Sequence, residues 1–275
     1  MTESVLGLAK YRYFKWSLAL STSALALYLW DSTDMRPNGG TWVGYTLGTI
    51  GVILILWLAA FGIRKRRYHR NMGLLSHWLS AHIWLGISLV LIASLHAGFQ
   101  FGWNVHTLAY VLMALVVVSG IVGVMLYRIN PGLMSEMLGG QTLIELAQGL
   151  REIDQEALQV LPRVGESHRE NARACLAEVS AEPIANRWLD RLLGGQRHSS
   201  TSESMARFEQ WTLGGDRACR DLMLLMVKRD HQLSRIRRFV QLKAFTEAWL
   251  LIHVPASVGL LASLVAHIVS VFFYW

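Results

Sequence analysis

Cysteine is scarce, with only Cys175 and Cys219 among 275 residues. No four-cysteine spacing holds an iron–sulfur cluster and no Cys-x-x-Cys-His attaches a haem covalently, so any redox centre must be held by other side chains. Charge is scarce too: 16% of residues are charged against 53% hydrophobic, with eleven tryptophans. That composition leaves the soluble norm and makes the bilayer the chain's main solvent. Asp and Glu are missing from the long apolar segments apart from Glu247 at an edge, which speaks against a carrier built on buried carboxylates. No dinucleotide-binding glycine fingerprint is evident either.

What is present is a set of five segments apolar and long enough to cross about 30 Å of hydrocarbon. They run roughly from Phe14 to Trp30, Trp42 to Ile63, Leu74 to Phe99, Thr107 to Tyr127 and Ala248 to Tyr274. The expected fold is all-α, a polytopic membrane helix bundle of about five spans with a helical cytoplasmic insert. The bundle would be built from residues 1–127 and 247–275, with the insert at 128–246. The first segment follows Lys10, Arg12 and Lys15 like a secretory signal, but bulky Tyr28, Leu29 and Trp30 stand where a cleavage site would need small residues, so an uncleaved anchor is expected.

Lys and Arg in the flanking loops give an orientation. The cluster Arg64, Lys65, Arg66, Arg67 and Arg70 is the densest in the chain, whereas Gln100 to His106 carries no Lys or Arg. This places the N-terminus, the basic cluster and the stretch from Tyr127 to Glu247 in the cytoplasm of a bacterial-type inner membrane, with Trp275 outside. The net charge of +7 is mostly this signal plus attraction to anionic lipid; nucleic acid is not an expected partner. Reducing conditions in the cytoplasm also argue against a Cys175–Cys219 disulfide. The insert nearly balances seventeen Lys and Arg against fifteen Asp and Glu between Arg128 and Thr246. Three- and four-residue apolar spacing predicts amphipathic helices near Gln141–Leu161, His168–Leu193 and Met205–Val240, with a flexible link at His198–Ser204. Arg235, Arg237, Arg238 and Lys243 precede the last span and are read first as solvated topology residues, and second as contacts for headgroups or haem propionates.

Two histidine pairs carry the chemistry. His82 and His96 lie fourteen residues apart in the third span, and His253 and His267 lie fourteen apart in the fifth. At about 1.5 Å and 100° per residue, each pair spans roughly 21 Å on nearly one helix face. Both spans run in the same expected direction, which levels His82 with His253 and His96 with His267. A single intramembrane histidine is more often a helix-to-helix hydrogen bond, but two equal pairs on parallel spans provide two axial nitrogens at each of two depths. That is the donor set of two six-coordinate haems b, and these four histidines are the candidate metal and cofactor ligands. Zinc, which wants four ligands around one ion, fits two-histidine levels less well. Gly86 and Ser257, four residues after the inner ligands, would relieve crowding there, and Leu89, Leu260 and Leu264 would offer apolar contacts, although leucine on a helix face is ordinarily packing. His106 is a weaker cofactor-binding candidate, a contact for a quinone carbonyl or a propionate; His77 ranks below it. Gly44, Gly48 and Gly51 form a small-residue stripe whose ordinary role is close helix packing.

The spacing of His82, His96, His253 and His267 resembles that of the ferric-reductase-like transmembrane superfamily and related di-haem cytochromes b. The resemblance covers only the membrane part and departs in having five predicted spans, a long insert and no flavin or nicotinamide domain after the last span. It implies a di-haem b-type cytochrome subunit carrying electrons across the membrane between quinone or quinol and a partner redox protein, such as a cytochrome c, an iron–sulfur protein or a flavin protein. As an enzyme the chain would be the electron-transfer membrane subunit of an oxidoreductase. Two alternatives are a haem-dependent reductase of an external metal ion or small molecule, and a cofactor-free scaffold or histidine-relay carrier.

Overall fold

The computed structural model describes residues 5–31, 38–66, 74–166, 169–170, 173 and 217–273. Among them every regular element is helical: α1 (Leu8–Asp31), α2 (Trp42–Arg66), α3 (Leu75–His96), α4 (Val105–Leu138), α5 (Leu143–Val160) and α6 (Arg217–Phe273), with single 3-10 turns at Val5–Gly7 and Leu161–Arg163. Among the described residues, four stretches hold a helix long and apolar enough to cross a membrane: Trp42–Lys65, Leu75–His96, Val105–Arg163 and Arg217–Phe273. The chain is therefore a multi-pass helical membrane protein. The expected first span, Phe14 to Trp30, is helical within α1 but does not join the four. Lys15, Ser17, Ser21, Thr22 and Ser23 dilute its apolar character.

The chain divides into two compact units, Met1–Gly123 with Leu250–Trp275, and Val124–Trp249. In the first, hydroxyl groups tie α1 to α3. Ser17 donates to the Trp84 carbonyl at 2.8 Å, Ser88 donates to the Ser17 carbonyl at 3.1 Å, and the two hydroxyls lie 2.5 Å apart. Such bonds join apolar helices where the hydrophobic effect cannot. The Trp84 indole adds a bond to the Leu6 carbonyl at 3.1 Å. Behind them lies a core of Val43, Leu47, Leu89, Ile92, Leu95, Met113, Leu260 and Leu264 from α2, α3, α4 and α6. Leu89, Leu260 and Leu264 thus belong to one buried apolar cluster.

The second unit is a small helical body. Gly139 and Gly140, at φ of +57° and +81°, end α4 in a left-handed turn that glycine adopts without strain. Arg235 covers that end by donating from Nε to the Met137 carbonyl at 2.8 Å, so its first role is a helix cap. Thr142 then opens α5 with a capping box: its hydroxyl accepts from the Glu145 N–H while the Glu145 carboxylate accepts from the Thr142 N–H. The face of α5 bearing Leu146, Leu150, Ile153 and Ala157 is buried, and Leu146 and Leu150 meet Leu233 and Ile236 of α6. Asp154 pairs with Arg229, which is 3% exposed. Buried Asn130 donates to the Leu242 carbonyl and the Thr246 hydroxyl.

Two expectations about the insert meet the structure. The helix predicted over Gln141–Leu161 is α5 and its following 3-10 turn. The helix ending at Val240 and the span starting at Ala248 are instead one element, α6. Residues 241–247 (QLKAFTE) contain no glycine or proline to stop it; the change there is in polarity, not in helix propensity. The predicted helix at His168–Leu193, the link at His198–Ser204 and Cys175 lie largely or wholly outside the described residues.

Candidate functional site

All four paired histidines belong to the first unit, on α3 and the last part of α6. His96, at the end of α3, and His267 face each other with ring centroids 6.0 Å apart and planes at 79°. His82 lies near the start of α3 and His253 on α6. The contact between His96 and His267 joins two histidines that the spacing set at one level.

Each ring has a distinct setting. His96 donates from Nδ1 to the Gly44 carbonyl of α2 at 2.7 Å. A carbonyl only accepts, so the proton is on Nδ1 and Nε2 carries the lone pair. His267 lies with its Nδ1 2.5 Å from Nδ1 of His106, at the start of α4. On α4, Ser119 gives its hydroxyl proton to the Val116 carbonyl at 2.9 Å, so its oxygen receives the N–H of His253 Nδ1, also at 2.9 Å. His82 is packed on Phe61 with ring centroids 4.9 Å apart, and its Nδ1 is buried without a hydrogen-bond partner.

Glycine makes room for the rings. A Cβ on Gly48 would stand 2.7 Å from His96 Cε1 and 3.0 Å from its Nδ1, and one on Gly39 would meet the same ring at 3.4 Å. A Cβ on Gly120 would touch His253 Cε1 at 3.5 Å. The small-residue stripe of α2 thus seats an imidazole in addition to bringing helices together. Gly86 is buried, yet a Cβ there would meet nothing within 4 Å, so open space lies beside it one turn after His82. Ser257 turns its hydroxyl back onto the His253 carbonyl at 2.7 Å and points no polar group of its own at the pair.

His96 and His267 are the residues that could hold an iron porphyrin between them. With imidazole–metal bonds of about 2 Å and each ring centre about 1 Å behind its nitrogen, two imidazoles sharing one metal would stand roughly 6 Å apart. His96 and His267 stand at that separation. Metal-bound histidines normally engage their second ring nitrogen, and His96, His253 and His267 do so through Nδ1. The orphan Nδ1 of His82 and the space beside Gly86 leave an unused ring nitrogen and room on that part of α3. Among the described residues no cluster of three or more His, Cys, Asp or Glu is arranged to hold a bare metal ion.

His106 sits against His267, a contact between α4 and α6 that spacing within one segment could not reveal. Ser119, Gly120 and the Gly44 carbonyl gave no signal in their own helices, since spacing reads one helix at a time. His77 turns to α1, accepting at Nδ1 from the Tyr13 hydroxyl at 3.1 Å with Arg12 at 3.5 Å. No protein-family model, curated protein or solved structure matches the chain.

Proposed function

We propose that this chain is a di-haem b-type cytochrome subunit that carries electrons across a bacterial-type inner membrane between quinone or quinol and a partner redox protein. The observation that carries the reading is the His96/His267 pair: two imidazoles from two membrane helices, 6.0 Å apart, each tied at Nδ1. When bound, a haem supplies reversible one-electron chemistry at its iron. The chain's part is ligation, orientation and burial. His96 and His267 would hold one group; His82 and His253 would hold the other, about fourteen helical residues or roughly 21 Å away along α3. Gly44, Ser119 and His106 fix ring orientation and tautomer, and the Leu89, Leu260 and Leu264 core excludes water between the levels. Membrane lipid surrounds the bundle, with the N-terminus cytoplasmic and the C-terminus outside. A cytochrome c, iron–sulfur or flavin protein is the expected redox partner.

The test is a vesicle experiment. Protein reconstituted into liposomes should reduce trapped ferricyanide when dithionite is added outside, and His96→Leu or His253→Leu should abolish that rate. Equal reduction in protein-free vesicles, or a rate untouched by both substitutions, contradicts the proposal.

A further inference from the structure

We infer that His106 is a positioning residue for His267 that sets the reduction potential of the His96/His267 level; the inference rests on the di-haem reading above. His106 is solvent-exposed, on the first turn of α4. That turn is anchored: Asn104 Oδ1 accepts from the Thr107 N–H at 3.0 Å, and the Gly102 N–H donates to the Thr107 hydroxyl at 3.1 Å. The ring is thereby delivered edge-on to His267, with centroids 4.5 Å apart, planes at 87° and Nδ1 atoms 2.5 Å apart.

One proton lies between two nitrogens that can each give or take it. If His106 donates, His267 keeps its own proton on Nε2 and has no lone pair there for a metal. If His267 donates, its Nε2 lone pair is available, and His106 acts as a nitrogen base drawing on the far side of the ring. Ligation therefore selects the second arrangement, in which His106 is the acceptor. An acceptor on the distal N–H raises the basicity of the ligating nitrogen, and a more basic ligand favours the higher oxidation state of iron. His106 thus lowers the potential of its own level and leaves the other untouched, because His253 has a separate partner in Ser119 on the same helix.

The experiment is a potentiometric titration of the purified full-length protein, following the haem absorbance, for wild type, His106→Leu and His106→Gln. Loss of the acceptor in His106→Leu should move one of the two midpoints upward by about 59 mV, a tenfold change for one electron. His106→Gln, whose amide oxygen still accepts, should fall between the leucine variant and wild type. Two midpoints unchanged in both variants overturn the inference, as does a downward shift. If His106→Leu sheds one haem, His106→Gln is read alone: an upward shift of one midpoint supports the role, and no shift overturns it. Wild-type protein without haem would instead overturn the di-haem reading itself.

Discussion

Gly48→Ala places a methyl group on α2 where the His96 imidazole now lies. The added carbon would stand 2.7 Å from Cε1, 3.0 Å from Nδ1 and 3.3 Å from Nε2, against an ordinary carbon contact of about 3.5–4.0 Å. The ring must retreat by about 1 Å, and the 2.7 Å bond from Nδ1 to the Gly44 carbonyl is then stretched beyond hydrogen-bonding reach. Loss of that bond costs about 1 kcal/mol, and overpacking adds about 1–3 kcal/mol. Together they weaken holding of a group at the His96/His267 level by roughly thirty-fold or more. Gly51→Ala is the control, since its methyl would meet only Leu89 Cδ1 at 4.0 Å and gains about 1 kcal/mol of helix propensity. Haem per chain, measured as pyridine haemochrome against protein mass, should fall toward half in Gly48→Ala and stay at the wild-type value in Gly51→Ala. Equal haem content and spectra in wild type and Gly48→Ala would refute the reasoning.

Further outcomes concern the second unit. Asp154→Ala leaves the Arg229 guanidinium, 3% exposed, without its carboxylate; because Asp154 itself is 29% exposed, the cost is about 2–3 kcal/mol, below the full buried-pair penalty, and a lowered thermal midpoint in detergent checks it. The Glu145 carboxyl is held below its usual 4.5 by hydrogen bonds from the Thr142 backbone and side chain. A depressed folded-state value gives stability that is present above the unfolded value and lost as pH falls through the folded one. Glu145→Gln should therefore unfold earlier than wild type at pH 7 and converge with it in acid below the usual carboxylate range; a difference independent of pH would contradict the capping box.

Much of the site was legible because a helix converts residue number into depth and face. Fourteen residues bring a side chain back to nearly the same face, so two equal histidine intervals on like-directed helices gave two levels. The partners of those histidines were not legible. Ser119 is one serine in the apolar run of α4, and the acceptor for His96 is a backbone carbonyl, which no residue type announces. The glycine stripe on α2 signalled close approach, but only packing decides that Gly48 faces an imidazole and Gly51 a leucine. His106 was legible as a residue near the end of a span, and its contact with His267 depends on how α4 sits beside α6. In the insert, a shift in polarity near Val240 read as a break in the chain, whereas helix propensity ran straight through it. Arg235 read as a topology charge, and its place against the end of α4 depends on the turn at Gly139.

The most direct measurement of the central claim is the haem stoichiometry and ligation state of the purified chain. The account predicts two b-type haems per chain, both six-coordinate through histidine and both unreactive toward carbon monoxide when reduced. A colourless protein from haem-replete cells, or a single haem that survives replacement of His96 and His267 together with His82 and His253, would contradict it.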